Sequence, residues 1–213
     1  MVIRGRAIRY GVSRLSPSAR LGPQTGRRQR CVAFCVCVLI VTCGLMRAAS
    51  SGGAKSGEYE VKSAYLYSFS KFVEWPARAA AMDRDSFAIC VIGKDPFGTT
   101  LDQTVAGETI DGKKVVSRRI LRPQEASECR VLFISASEGD QLHDVLAVAN
   151  KASVLTVSDM PEFSQRGGMI QFVLEGNRVR FEVNLTSAQE AGLILRSDLL
   201  KIAVTVRTNA PRS

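Results

Sequence analysis

The sequence predicts a single α/β domain, in which helices flank a largely parallel sheet and a C-terminal β-hairpin precedes two closing helices. Three observations support this fold class. Strand-like apolar runs alternate with amphipathic segments between residues 86 and 159, the order typical of βαβ units. Two further strand-like runs surround a Gly-Asn pair, which favours a tight hairpin turn. Two short amphipathic segments then close the chain.

The first predicted element is an amphipathic helix over residues 58–73. Its apolar positions recur at spacings of three and four. They are Val61, Tyr65, Leu66, Phe69, Phe72 and Val73. Pro76 and the residue before it end this helix. Trp75 lies at that end, where a large ring is often half exposed. It either caps the core or anchors a dimer or partner surface.

Strands and helices then alternate along the chain. The run SFAICVIG at 86–93 is rich in residues that suit a buried strand. The other predicted strands of this part are 113–121, 129–135 and 153–159, and the predicted helices are 98–105 and 139–151. Because parallel strands need crossover connections of this kind, the pattern predicts a largely parallel sheet.

The predicted hairpin consists of strands at 168–174 and 178–185. Polarity alternates strictly in its second strand, as expected for a strand with one buried face. The apolar face consists of Val179, Phe181 and Val183, and the polar face consists of Arg178, Arg180, Glu182 and Asn184. The polar face has two interpretations. Its arginines bind an anionic ligand, or the face is solvated and carries a cross-strand ion pair.

Two closing helices are predicted after the hairpin, at 186–195 and 197–206. Ser197 is the expected N-cap of the second helix, because a hydroxyl at that position can accept a hydrogen bond from the first helical turn.

The net charge of +9 is concentrated at the start of the chain. The first 55 residues contain ten of the 29 Lys and Arg residues and no acidic residue. The rest of the chain therefore carries 19 basic and 20 acidic side chains, a net charge of about −1. Nucleic-acid binding requires a basic surface, and a folded part with a net charge of about −1 does not predict one. Nucleic acid is therefore not an expected partner.

The basic start of the chain is typical of an export signal. Three arginines in residues 27–30 precede the uncharged apolar run 31–46, and small residues follow at 48–51. We assign residues 1–54 to a signal peptide with a basic extension and a linker, and residues 58–207 to the α/β domain. An uncleaved N-terminal anchor is the alternative, because the apolar run is only slightly shorter than a bilayer span.

The domain retains two cysteines, Cys90 and Cys129. Two cysteines are the minimum for one disulfide in an oxidising compartment, and two buried free thiols are the alternative.

The residues do not suggest an enzyme. His143 is the single histidine and lies in an ordinary amphipathic helix, and we find no combination of nucleophile, base and orienting group. No cofactor or metal is predicted. The segment GKDPFG at 93–98 departs from a phosphate-binding loop and indicates a turn. Because it follows a parallel strand, it is a candidate rim for a ligand cleft that includes Lys94, Asp95 and Arg196.

Four segments together resemble the YfiR family of exported bacterial regulators. They are VKSAYLYSFSKFVEWP, FAICVIGKDPFG, CRVLFIS, and GGMIQFVLEGNRVRFEVNL with the following AGLILRSDLLKIA. The resemblance covers residues 59–204. It implies a periplasmic, non-catalytic protein that binds the periplasmic sensor domain of a YfiN-type inner-membrane diguanylate cyclase and represses it. It also implies a homodimer, with an envelope lipoprotein as a further partner.

The resemblance adds expectations about particular residues. It implies a small α/β fold with a disulfide between Cys90 and Cys129. Some relatives carry a second cysteine pair near the GGMI segment, which this chain lacks between residues 160 and 175. The partner-binding role of the hairpin makes Arg178, Arg180 and Glu182 candidate contacts. Trp75 is a further candidate because of its position at the helix end. The competing hypothesis is a periplasmic small-molecule sensor that has no cyclase partner.

Overall fold

The computed structural model describes residues 51–77 and 85–208, which form a mixed α/β domain. The apolar run of the predicted leader lies outside these residues. The strands are β1 (Val73–Glu74), β2 (Ser86–Ile92), β3 (Thr109–Ile110), β4 (Lys113–Ile120), β5 (Val131–Ile134), β6 (Leu155–Ser158), β7 (Ile170–Glu175), β8 (Arg178–Asn184), β9 (Ile194–Leu195) and β10 (Thr205–Arg207). The α-helices are α1 (Ser51–Phe69), α2 (Thr99–Val105), α3 (Leu142–Lys151), α4 (Leu185–Glu190) and α5 (Ser197–Ile202).

Eight strands form one sheet in the order β10-β8-β7-β6-β5-β2-β4-β3. The central strands β4, β2, β5, β6 and β7 pair in parallel, and β10 is parallel to β8. The pairs β7–β8 and β3–β4 are antiparallel. The predicted fold class, a largely parallel sheet flanked by helices with a hairpin towards the C-terminus, is therefore confirmed.

Both faces of the central sheet are covered, which explains why β2 is apolar from Phe87 to Ile92. Phe87, Ile89 and Val91 belong to the core on one face, where Leu66 and Phe69 of α1 also pack. The intervening Ala88, Cys90 and Ile92 belong to the core on the other face, together with α3 residues such as Leu142 and Val145. Successive side chains of a strand point to opposite faces, so one strand contributes to both cores.

The first helix ends earlier than predicted. The sequence pattern extends it to residue 73, whereas α1 ends at Phe69 and Val73 already belongs to β1. β1 pairs antiparallel with β9, with Val73 opposite Leu195 and Glu74 opposite Ile194. Pro76 disfavours helical backbone at the preceding residue, and pairing with β9 supplies hydrogen bonds that a helix would otherwise make.

The C-terminal region also departs from the predicted pair of longer helices. The predicted helix 186–195 is the short α4 followed by β9, and the predicted helix 197–206 is α5 followed by β10. Ser197 is the first residue of α5, and the N-cap position is occupied by Arg196 without a side-chain cap hydrogen bond. A side-chain cap occurs instead at Asn184, whose oxygen accepts a hydrogen bond from the Ser187 N–H at 3.0 Å.

The hairpin turn between β7 and β8 is confirmed. Gly176 and Asn177 have φ values of 55° and 64°. Positive φ at both central residues is the requirement of the type I′ turn, which glycine and asparagine meet at low cost.

Gly168→Ala is expected to lower the free energy of unfolding by about 1–3 kcal/mol, because the added methyl group would overlap the ring of Phe163. That ring is fully buried, so it has little room to move aside. Chemical denaturation would measure the loss. Gly139→Ala is the matched control, since its methyl group would meet only the Ala136 carbonyl oxygen at 3.6 Å. Equal stability of the two variants would contradict this explanation.

Candidate functional site

The tip of the β7–β8 hairpin extends beyond the core. Burial decreases along β7, and Leu174 is 58% exposed near its end. In β8, Arg178 and Arg180 are exposed and lie opposite Glu175 and Val173. The Arg180 Nε atom is 3.8 Å from Glu175 Oε2, and both side chains are about half exposed. We call Leu174, Glu175, Arg178 and Arg180 the hairpin tip. Its two arginines share one face with Glu175, and Leu174 lies on the other face, opposite Val179.

Glu182 differs from the other members of the predicted polar face. Its side chain is only 19% exposed, and its Oε2 atom accepts hydrogen bonds from Ser164 Oγ at 3.1 Å and Arg207 Nη2 at 3.2 Å. Arg207 belongs to β10, whose first two residues lie in the predicted helix 197–206. The interpretation of this face as solvated is therefore wrong at Glu182, whose side chain is mostly buried where β10 pairs with β8, but cross-strand ion pairs of the expected kind are present.

Cys90 and Cys129 form a disulfide, with their Cα atoms 5.9 Å apart. Both residues are almost completely buried, at 0% and 1% exposure. Cys129 follows a 3₁₀ helix at 123–128, so the bridge joins that segment to β2. The pairing that the resemblance implied is therefore present in the structure.

The loop that follows β2 is held by hydrogen bonds within it and to neighbouring segments. The Lys94 N–H donates to Ser137 Oγ at 2.9 Å, and Asp95 Oδ1 accepts from the Phe97 N–H at 2.8 Å. Arg119 Nε lies 2.9 Å from Asp95 Oδ2 and also donates to Asp102. Partial burial opposes ionisation of Asp102, but hydrogen bonds from Arg119 and Ser117 keep its pKa below the usual value.

A cleft lies at the amino ends of the central strands, at the opposite end of β2 from the loop 93–98. The parallel strands β2, β4 and β5 all begin there, and the cavity volume is about 630 Å³. Phe87 near the start of β2, Lys113 at the start of β4 and Arg130 just before β5 line it. The β1–β9 ribbon contributes Trp75 and Arg196 from the residues that directly follow its two strands.

The structure thus separates the residues of the predicted ligand cleft. Arg196 lines the cleft, whereas Lys94 and Asp95 follow the carboxyl end of β2 and do not line it. Trp75, which the sequence suggested as a partner contact, lies beside Arg196 in the lining. The sequence analysis missed Lys113 and Arg130. The sequence offered a single indication that they lie together, since each is at or near the start of a predicted parallel strand.

Trp75 is half-buried in the cleft wall. Its ring meets Phe87 edge to face, with centroids 5.4 Å apart and an interplanar angle of 85°. Its indole Nε1 atom is buried and has no hydrogen-bond acceptor among the described residues. The ring therefore packs on the core, as the first interpretation expects, and its role at a dimer or partner surface stays a prediction.

Residues 51–77 and 85–208 contain no group of three or more His, Cys, Asp and Glu side chains that could hold a metal ion. In the same part of the chain, every helix is too short or too polar to cross a membrane.

A family model described as YfiR/HmsC-like matches residues 59–204, more than half of the chain. Among solved structures, the chain is similar to a conserved domain protein from Vibrio cholerae O1 biovar El Tor strain N16961. The identity is 13% and the TM-score 0.44, with coverage of 56% of this chain and 54% of that chain. It is also similar to the ABC domain from Streptococcus pneumoniae in complex with L-Trp, at 12% identity and a TM-score of 0.42, with coverage of 57% and 55%. The chain thus spans about half the length of each of these two proteins.

Proposed function

Because this chain belongs to the YfiR/HmsC-like family of periplasmic regulators of cyclic di-GMP signalling, we propose that it binds and represses an inner-membrane diguanylate cyclase. The contact would be with the periplasmic domain of that cyclase, and repression would lower cytoplasmic cyclic di-GMP. The family match is the observation that carries the proposal. The buried disulfide supports export to an oxidising compartment, where such bridges persist.

The hairpin tip is the proposed contact surface. Arg178 and Arg180 are exposed on one face of the hairpin, and the exposed apolar side chain of Leu174 lies on the other face, opposite Val179. Arginine is enriched among interface residues that carry binding energy. The proposed complement of the arginine face on the cyclase is a surface with acidic side chains.

The remaining candidate contacts have different proposed roles. Glu182 would act indirectly, because its hydrogen bonds to Ser164 and Arg207 hold the base of the hairpin. Trp75 lies in the cleft wall rather than at the hairpin tip, so its contribution to a partner surface would be separate. The family resemblance further motivates the proposals that the protein forms a homodimer and that it binds an envelope lipoprotein.

The proposal predicts that Arg178→Glu combined with Arg180→Glu weakens binding to the cyclase periplasmic domain at least about tenfold, because both substitutions reverse charge at the contact. Surface-based binding measurements with the two purified domains would determine the affinity. In cells, cyclic di-GMP should rise as the cyclase is released. Both side chains are exposed, so the variant should fold normally.

Arg118→Glu is the matched control, since Arg118 and Arg180 are both 47% exposed and each pairs with an exposed glutamate. Arg118 lies on β4, far along the sheet order from β8, and its replacement should leave cyclase binding unchanged. Glu182→Lys should instead reduce stability, because it places a cation beside Arg207. Unchanged affinity and unchanged cyclic di-GMP in the Arg178→Glu, Arg180→Glu strain would exclude the hairpin tip as the contact.

A further inference from the structure

The cleft beside Trp75 is rich in cations. Lys71, Lys113, Arg130 and Arg196 line it, against two acidic side chains, Glu74 and Asp111. The lining therefore carries a formal excess of two positive charges. The domain as a whole has a net charge close to zero, so the positive charge is local to the cleft. The four cations come from four separate segments of the chain. The fold brings them to one edge of the sheet.

Three of these cations lack a neutralising partner. Lys71, Lys113 and Arg196 have no carboxylate within 4.0 Å among the described residues. Lys71 Nζ lies over the ring of Tyr67, 4.1 Å from its centroid. Cations concentrated around a concave surface attract anions more strongly than the same charges spread over a convex surface.

The cleft also contains a donor whose hydrogen-bonding capacity is not met. The Trp75 indole N–H is buried without an acceptor among the described residues. Buried polar groups in folded proteins nearly always have a partner, so a donor of this kind in a cavity wall is a candidate ligand contact.

We propose that this cleft binds a small anion that carries carboxylate or phosphate groups. Arginine and lysine side chains are the usual partners of both groups, and the guanidinium of Arg196 can make paired hydrogen bonds to either. The cavity volume of about 630 Å³ lies within the range of small-molecule sites. Glu74 and Asp111 would repel an extended polyanion, which favours a compact ligand.

Anion binding at the cleft is independent of the proposed cyclase contact. No residue of the hairpin tip lines the cleft, and the test requires only the purified protein. A failure of one proposal is therefore distinguishable from a failure of the other.

The test exploits the position of Trp75, which is the single tryptophan of the chain. Its fluorescence reports directly on the cleft. Inorganic phosphate and citrate are titrated separately at constant ionic strength, with calorimetry as a second measurement of binding. A saturable response to phosphate alone assigns a phosphate-bearing ligand, and a response to citrate alone assigns a carboxylate-bearing one. Responses to both assign a general anion site.

Lys113→Gln combined with Arg196→Gln should raise the apparent Kd at least about tenfold, because both charge-assisted contacts are lost. Neither side chain forms an ion pair among the described residues, so the variant should keep the thermal stability of the parent. Lys114→Gln is the matched control, since Lys114 is the next residue of β4 and is not part of the cleft lining. The proposal is overturned by the absence of saturable binding of either anion. It is equally overturned if Lys114→Gln weakens binding as much as the double variant.

Discussion

Replacing Cys90 and Cys129 together by alanine is expected to lower the free energy of unfolding by about 3–4 kcal/mol. The disulfide closes a loop across 39 residues of sequence, and in the chain-entropy model a loop of this size restricts the unfolded ensemble by that amount. Both sulfur atoms are also buried in the core beneath α3, so the shorter side chains lose packing contacts. Urea denaturation of the parent and the variant would measure the difference.

The reduced parent protein provides the matched comparison. Reduction keeps both sulfur atoms but removes the cross-link, so it should reproduce most of the loss seen in the double alanine variant. If reduction had no effect while the variant were strongly destabilised, packing rather than the cross-link would explain the stability. Alkylation of two thiols in the native, non-reduced protein would show that the bridge is absent and would contradict the prediction.

The central sheet was predictable because its strands are apolar on both faces and are separated by helices of ordinary length. β2 and β5 show this most clearly, since every residue of β5 and all but the first residue of β2 are buried. Such runs need no information about their neighbours to be recognised as strands. The hairpin was equally predictable, because the Gly-Asn pair favours a tight turn of defined geometry.

The short strands β1, β9 and β10 were not predictable from local pattern. β1 and β9 contain two residues each and are stabilised by pairing with each other across more than a hundred residues of sequence. β10 is defined by its pairing with β8. Segments this short have no periodicity that could distinguish them from the ends of the neighbouring helices, so tertiary pairing decides their structure.

These short strands also explain which parts of the candidate site could be predicted. The expected ligand cleft lay at the carboxyl ends of the parallel strands, where sites in such sheets commonly occur. The described cleft lies at the amino ends, because the β1–β9 ribbon places Trp75 and Arg196 there. The exposed arginines of the hairpin followed directly from strand alternation, whereas the burial of Glu182 depended on β10.

Asp159→Ala is expected to lower the free energy of unfolding by about 2–4 kcal/mol, because it removes a partner from a buried lysine. Lys62 is 3% exposed, and its Nζ atom lies 2.7 Å from Asp159 Oδ2 and 2.5 Å from Glu58 Oε1. Asp159 Oδ2 also accepts a hydrogen bond from the Tyr59 hydroxyl at 3.0 Å. Burial and then the Asp159 charge raise the pKa of Tyr59, so its hydroxyl remains a donor at neutral pH.

This network attaches α1 to the segment that follows β6, so its loss should loosen the N-terminal helix. Asp198→Ala is the control, because Asp198 pairs with Lys201 at 3.2 Å on the surface, where both side chains are more than half exposed. Exposed pairs of this kind contribute at most about 1 kcal/mol. Chemical denaturation should separate the two variants clearly, and hydrogen exchange should increase in α1 only for Asp159→Ala.

A second substitution distinguishes loss of an ion pair from loss of packing. In Asp159→Ala, the buried charge of Lys62 keeps Glu58 as its carboxylate partner. Adding Lys62→Met removes that charge, while methionine keeps most of the apolar stem. The double variant should therefore be more stable than Asp159→Ala, since an incompletely paired buried cation costs more than its replacement by an apolar side chain. If the double variant were the less stable of the two, the pairing of Lys62 with Glu58 and its ring contact with Tyr59 would be its main contributions, and its pairing with Asp159 would be secondary.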